Sequence, residues 1–180
     1  METVRLFRVF FSAPSDVIAE QEIVAGVLRE WNVQHGQDLG IRVELVHWRT
    51  HTYPATGKRP QSLINKQAFD RADLVIGVFW TKFGTPTGRY GSGTEEELRR
   101  GIAQDKGVMV YFSRIAPPKG KGRPLHFSKI EAFKRKLGKQ ALYWEFSGLD
   151  GFERDFRNHL RWRDGAMAMR DLQNKHKLGK

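Results

Sequence analysis

Apolar and polar residues alternate along the chain in blocks that predict strands and helices in turn. Residues 4–12 (VRLFRVFFS) are rich in β-forming residues and run into the turn-forming segment SAPSD, which predicts a first strand. Residues 17–33 place valine, leucine and tryptophan side chains on one face at helical spacing. We therefore expect a helix there, capped by Ser15 or Asp16 and ended by the segment HGQDLG (35–40).

Four more strands and four more helices follow by the same reasoning. The strands are predicted at residues 41–48, 73–80, 108–113 and 141–147, and the helices at 61–70, 94–105, 128–140 and from about residue 150. Residues 73–80 (DLVIGVFW) form an almost unbroken apolar run. Such a run is typical of a central parallel strand that is covered on both faces.

This alternation of strands and helices predicts an α/β domain with a mostly parallel, five-stranded sheet. Right-handed crossovers and short connections favour a flavodoxin-like three-layer sandwich with the strand order 2-1-3-4-5. In that order a ligand binds beyond the carboxyl ends of strands one and three, at residues 12–16 and 80–88. We assign the domain to residues 1–164 and residues 165–180 to a basic C-terminal tail or linker.

Composition narrows the chemistry. None of the 180 residues is cysteine, which excludes disulfides, thiolate metal sites and cysteine nucleophiles. The six histidines show no metal-binding spacing, so no metal is expected. The longest apolar stretch, residues 74–80, is too short to cross a bilayer, so we expect no membrane association. The absence of cysteine fits a reducing compartment, and we expect a cytoplasmic protein.

The net charge of +11 suggests nucleic acid or an acidic partner, but the charge is unevenly distributed. Residues 1–113 carry 14 basic and 13 acidic side chains, whereas residues 114–140 carry nine basic and one acidic. The basic segment 114–140 is therefore a candidate for binding nucleic acid or an acidic protein surface. The alternative is a solvated loop followed by a helix that turns its lysines outward.

Three consecutive carboxylates open a predicted helix directly after a glycine-rich loop, in the segment SGTEEEL (92–98). The structural interpretation is a capping box formed by Thr94 and Glu97, with the three carboxylates placed where they interact favourably with the helix dipole. The functional interpretation is a carboxylate at the rim of the crevice between strands one and three. There it would stabilise the positive charge that develops on a ribose.

These segments resemble known families. FFSAPSD (10–16) is similar to the end of the first strand of Toll/interleukin-1 receptor (TIR) domains. The spacing from Ser92 to Glu97 resembles the S-x-x-x-x-E pattern of NAD-cleaving TIR domains and the G-T-x-x-E pattern of nucleoside deoxyribosyltransferases. With ADLVIGVFWTKFGTPTG and the loop HWRTHTYP included, residues 5–160 resemble a TIR-like domain of unknown function that often precedes STAND-type NTPase or repeat modules.

The resemblance implies NAD or a related nucleotide as ligand and substrate, no required cofactor, and a role in bacterial defence or signalling. It also implies that Glu97 is catalytic, with Glu96 as the second candidate. One carboxylate can suffice, because nicotinamide departs as a neutral base. The chain has Gly93 and Thr94 where NAD-cleaving TIR domains usually have Trp-Cys. A nucleotide-sensing or self-associating module without turnover is therefore the alternative.

The other candidate site residues share a position in the loops at that edge and a polar, charged or aromatic side chain. They are Ser12, Asp16, Trp80, Lys82, Phe83, Thr85, Arg89, Ser92 and Thr94. The short polar side chains could bond a ribose, the aromatic rings could stack on a base, and the cations could meet a pyrophosphate. The alternatives are turn and cap roles, core packing and solvated charges.

Overall fold

Five strands form one parallel sheet in the computed structural model, which describes residues 4–46, 68–117 and 126–161. The strands are β1 (Arg5–Ser12), β2 (Ile41–Val46), β3 (Leu74–Phe79), β4 (Gly107–Ser113) and β5 (Trp144–Phe146). Their order is 2-1-3-4-5 and every pair is parallel. The predicted fold class and strand order are confirmed.

Helices cover both faces of the sheet: α1 (Ile18–Trp31), α2 (Gly93–Ala103), α3 (Phe127–Leu137) and α4 (149–161). The side chains of β1 divide between two apolar cores, because successive side chains of a strand point to opposite faces. Val9 and Phe11 pack in the core with α1 and α4, whereas Phe10 packs in the core with α2 and α3. The result is three layers.

The first helix begins differently from its prediction. Its N-cap is Val17, and no side chain accepts a hydrogen bond there, so the expected cap by Ser15 or Asp16 is wrong. The physical reason is competition for the carboxylate, because the main chain after β3 donates to Asp16 instead.

The first helix also ends later than predicted, since HGQDLG does not break it. The backbone continues as a π-helical segment (Asn32–Gly36) and one more α-helical turn (Gln37–Leu39). The turn ends at Gly40, whose φ of 61° suits a glycine C-cap. The Asn32 side chain holds the extension against β2 through two hydrogen bonds to the backbone of Val43, at 2.8 and 2.7 Å.

α2 lies close to the sheet because β3 has a glycine at its contact point. A Cβ atom on Gly77 would lie only 2.7 Å from Cδ2 of Leu98 on α2. Gly101 lies on α2, one helical turn after Leu98, and a Cβ atom there would lie 3.0 Å from the Val108 side chain of β4. These two glycines let α2 approach the sheet closely, with its first turn near the carboxyl end of β1.

The basic segment is not uniformly outward-facing. Lys134 of α3 forms an ion pair with Glu145 of β5, and its ammonium group lies over the rings of Phe112 and Tyr143. The expectation that the lysines of this helix all face solvent is therefore wrong for Lys134. Lys136, by contrast, is exposed as expected.

Several predictions fall outside the described residues. They are most of the helix at 61–70, the loop HWRTHTYP (47–54), residues 118–125 of the basic segment and the tail at 165–180, so the domain boundary stays a prediction. Within the described ranges, none of the helices combines the length and the apolar character needed to span a membrane.

Candidate functional site

A cavity of about 400 Å³ lies at the carboxyl edge of the sheet, where β1 and β3 end. Its volume falls within the range of ~300–1,000 Å³ that is common for small-ligand pockets. The lining comes from four segments that are distant in the sequence: Ala13, Pro14, Ser15, Lys82, Gly84, Thr85, Gly93, Thr94, Glu97 and His126. The cavity therefore occupies the place where a 2-1-3-4-5 sheet binds ligands.

Glu97 contributes a buried carboxylate to this cavity. Its exposed fraction is 6%, and that of Ser12, the last residue of β1, is 1%. The Ser12 hydroxyl donates a hydrogen bond to Oε2 of Glu97, across 85 residues of sequence. A buried carboxylate is costly unless hydrogen bonds compensate for its lost hydration, so Ser12 both stabilises Glu97 and fixes its orientation.

The N-terminus of α2 explains why Glu97 is available to the cavity. Ser92 is the N-cap, and its Oγ accepts a hydrogen bond of 3.1 Å from the amide of Glu95. The Glu95 carboxylate reaches back to the amide of Gly91 at 3.0 Å. The predicted capping box of Thr94 and Glu97 is therefore wrong, because the helix begins earlier, with Ser92 as the N-cap and Glu95 accepting from the amide before it. Thr94 and Glu97 line the cavity instead.

Glu96 has a different environment from its neighbour. One residue corresponds to a rotation of about 100° around the helix, and Glu96 is not among the residues that line the cavity. The Thr87 hydroxyl donates to its Oε2 at 2.6 Å. Glu96 thus connects α2 to the glycine-rich loop and helps to hold the cavity wall.

Asp16 also acts on the cavity wall, and it is not part of the lining. Its Oδ2 accepts hydrogen bonds from the amide and hydroxyl of Thr81 at 2.9 and 2.8 Å, and from the amide of Lys82 at 2.8 Å. The chain leaving β3 is thereby fixed to the chain leaving β1. The buried Oδ1 of Asp16 has no hydrogen-bond partner among the described residues.

A second carboxylate lies near Asp16, and this one is buried. Glu20 of α1 has an exposed fraction of 4%. Burial raises the pKa of Glu20 and the nearby carboxylate of Asp16 raises it further, against the opposing effect of a backbone hydrogen bond. The segment that follows β1 therefore carries a carboxyl group that is easier to protonate than an ordinary glutamate.

Two basic side chains face the cavity. Lys82 is exposed, and its ammonium group donates to the Ser15 hydroxyl at 3.0 Å. Nδ1 of His126, which directly precedes α3, accepts a hydrogen bond of 3.0 Å from the amide of Phe83. Sequence reasoning missed His126, since this contact spans 43 residues and belongs to no motif.

The two aromatic candidates do not line the cavity. Nε1 of Trp80 donates to the carbonyl of Ile115 at 2.7 Å, and the ring packs against the core. Phe83 is buried beside Phe79, with ring centroids 5.6 Å apart, so its ring is not presented to a ligand.

The last two candidates have structural contacts as well. Arg89 lies over the ring of Tyr90, and Ser92 is the buried N-cap. The cavity thus brings together Lys82, Thr85, Thr94 and Glu97 of the predicted set, with Ser12 bonded to Glu97. In the part of the chain that the structure describes, no group of three or more histidine or acidic side chains could hold a metal ion.

Comparisons with known proteins give one family match. A family model described as "Domain of unknown function (DUF4062)" matches residues 8–161, and no curated protein matches. Among solved structures, the CMP N-glycosidase of Clostridium botulinum is 15% identical, with a TM-score of 0.41 over 83% of this chain and 97% of that one.

Flavodoxins are also among the similar structures. A flavodoxin from Streptococcus pneumoniae is 19% identical, with a TM-score of 0.40 over 88% of this chain and 99% of that one. Flavodoxin 1 from Bacillus cereus is 15% identical, with a TM-score of 0.39 over 86% of this chain and 93% of that one. The fold assignment itself rests on the strand order and pairing described above.

Proposed function

We propose that this chain, which belongs to the DUF4062 family, binds a nucleotide between the ends of β1 and β3 and cleaves its N-glycosidic bond with Glu97. The observation that carries the proposal is the pairing of Glu97 with Ser12 in the lining of the cavity. A carboxylate held in this way is oriented before a substrate arrives. It can therefore stabilise positive charge on a ribose without first having to reorganise.

The reaction breaks the bond between C1′ of the ribose and the base nitrogen, and the bonding electron pair leaves with the base. Glu97 either stabilises the resulting oxocarbenium ion or bonds to C1′ as a nucleophile. Water then adds to C1′, displacing the Glu97 carboxylate where it has bonded there, and loses one proton. The products are the free base and a ribose with a hydroxyl group at C1′. A cationic base leaves as a neutral molecule and the proton is released, whereas an uncharged base takes that proton up.

NAD is the substrate that we infer for this chemistry. Its nicotinamide nitrogen is positively charged, so the base departs as a neutral molecule and needs no proton from an acid. Glu97 is the one carboxylate among the described residues that line the cavity, and a second acidic group is needed mainly for oxygen leaving groups. The resemblance of SGTEEE to the motif of NAD-cleaving TIR domains supports the same substrate.

The test is release of nicotinamide from NAD by the purified protein, followed by chromatography. We expect Glu97→Gln to lower the rate by a factor of about 100 or more, the scale of one lost transition-state contact. Glu96→Gln is the matched comparison, since its amide oxygen can still accept from Thr87 and position 96 is not in the cavity lining. Its rate should fall far less than that of Glu97→Gln. The assignment to Glu97 fails if the Glu97 variant keeps its rate, and it passes to Glu96 if only the Glu96 variant loses activity.

A second candidate function is nucleotide sensing without turnover. The observation that favours it is that Gly93 and Thr94, the two residues that depart from the NAD-cleaving pattern, both line the cavity. In that case NAD would raise the melting temperature, and self-association would change with ligand, while no nicotinamide would be released. A rise in melting temperature accompanied by base release would instead support the enzyme.

A further inference from the structure

We propose that Lys82 and His126 form a subsite for a phosphate group on C5′ of the ribose whose glycosidic bond is cleaved. The identity of the substrate rests on the proposed function, whereas the subsite rests on these two side chains. The pocket would then select 5′-phosphorylated N-glycosides over free nucleosides. Mononucleotides and dinucleotides share this phosphate, so the subsite serves either.

Lys82 supplies a positive charge that is not engaged in an ion pair within the described residues, although the Asp16 carboxylate binds its main-chain amide. Its ammonium group donates to the uncharged Ser15 hydroxyl, and no carboxylate among the described residues forms an ion pair with it. An ammonium group has three donors, so two remain for a ligand. The main chain of the same residue is fixed by Asp16, and this places the base of the side chain at the cavity wall.

His126 supplies a neutral donor of defined tautomer. Because the amide of Phe83 donates to Nδ1, that nitrogen carries no proton, and in the neutral ring the proton is on Nε2. The ring lines the cavity, so a phosphate oxygen is a suitable acceptor for Nε2–H. The same contact ties His126 to the loop that carries Lys82, and the two donors are therefore positioned together.

The burial of the lining residues indicates which end of the pocket lies deep in the protein and which end faces solvent. Glu97 is buried and Lys82 is exposed, so the carboxylate lies at the floor and the ammonium group at the rim. A ribose bound with C1′ beside Glu97 can direct its C5′ substituent to the rim. The phosphate is then separated from the Glu97 carboxylate, which would otherwise repel it, and a diphosphate can continue into solvent.

Nicotinamide riboside, nicotinamide mononucleotide and NAD are suitable probes, since they carry the same scissile bond and differ at C5′. For the wild-type protein we expect kcat/KM for the mononucleotide to exceed that for the riboside by about ten-fold or more. Lys82→Gln should lower this ratio by about ten-fold. Lys136→Gln, which removes an equal charge from an exposed position of α3, should leave the ratio unchanged.

His126 needs two variants because it has two contacts. His126→Asn retains an oxygen that can accept from the Phe83 amide and removes the Nε2 donor, so the ratio should fall. His126→Gln places an amide donor near the original Nε2 and should retain more of the ratio. If His126→Asn keeps the wild-type ratio, His126 is only an anchor for the loop and its place in the subsite is overturned.

The subsite and the catalytic proposal fail in different ways. Equal kcat/KM for riboside and mononucleotide overturns the subsite, while base release from both still supports cleavage. If no base is released, calorimetric dissociation constants replace the rates. If the mononucleotide then binds more tightly than the riboside, and Lys82→Gln removes this difference, the subsite is supported although the catalytic proposal has failed. Equal binding of the two compounds, or no binding, overturns the subsite.

Discussion

Gly77→Ala is the substitution that most directly tests how the sheet positions Glu97. The new methyl group would lie 2.7 Å from Cδ2 and 2.8 Å from Cδ1 of Leu98. Both distances are well below van der Waals contact, and Leu98 is fully buried, with an exposed fraction of 0%. The methyl group can be accommodated only if α2 moves or Leu98 leaves its rotamer.

The cost follows from this overlap. Overpacking of a core by one methyl group typically costs about 1–3 kcal/mol. For a domain of this size each kcal/mol corresponds to roughly 2–4 °C in melting temperature, so we expect a fall of about 2–12 °C. Leu98 directly follows Glu97, and a shift that relieves the overlap moves the carboxylate relative to Ser12. Misplacement by ~1 Å can cost about 100-fold in rate, so activity should fall by more than stability alone explains.

Urea unfolding of a double-mutant cycle tests the steric reasoning. Leu98→Ala alone should cost about 2–5 kcal/mol, because it leaves a cavity. In the double variant the methyl group introduced at position 77 enters that cavity, so the combined cost should be smaller than the two single costs added together. Gly148→Ala is the control, since a Cβ atom there meets nothing within 4 Å. Wild-type stability in Gly77→Ala, or strict additivity, would refute the argument.

Two further predictions concern the carboxylates that follow β1. Asp16→Ala removes the acceptor of three hydrogen bonds and should lower the free energy of unfolding by about 2–4 kcal/mol. Thr81→Val loses one of these bonds and should cost about 1 kcal/mol. Equal costs of the two variants in urea unfolding would contradict the role of Asp16 in joining the chain after β1 to the chain after β3. Burial raises the pKa of Glu20 above its ordinary 4.5, so the folded state holds this proton more tightly and stability falls as the pH rises from 4.5 through the raised pKa. The melting temperature of Glu20→Gln should therefore fall less between about pH 4 and pH 7 than that of the wild type, and parallel pH profiles would exclude this cause.

The strand order and the location of the cavity could be predicted from the sequence because both follow from the alternation of strands and helices along the chain. Once residues 73–80 are recognised as a central strand, the crossover rules leave few arrangements, and the ligand edge follows from the arrangement. The helix cap could not be predicted in the same way. Ser92 with Glu95 and Thr94 with Glu97 have the same spacing, and only the starting point of α2 distinguishes them.

The positions of the aromatic residues and of His126 also could not be predicted from the sequence. Phe83 lies in a loop by sequence, yet it is buried beside Phe79 and Phe133, and this placement depends on how the loop folds back towards α3. His126 contacts the same loop by accepting a hydrogen bond from the backbone amide of Phe83. Every residue except proline has such an amide, so the sequence does not indicate which one a distant histidine will contact. Local patterns identify which residues form an element, but not which distant backbone group a side chain will find.

The hydrogen bond between Ser12 and Glu97 has a consequence for biosynthesis. It joins residues that are 85 positions apart, on either side of β2 and β3. Bringing such distant residues together costs loop-closure entropy, and a partly synthesised chain that ends before residue 97 lacks the carboxylate altogether. Under the proposed function, such a chain cannot cleave a nucleotide until Glu97 has been synthesised and brought to Ser12.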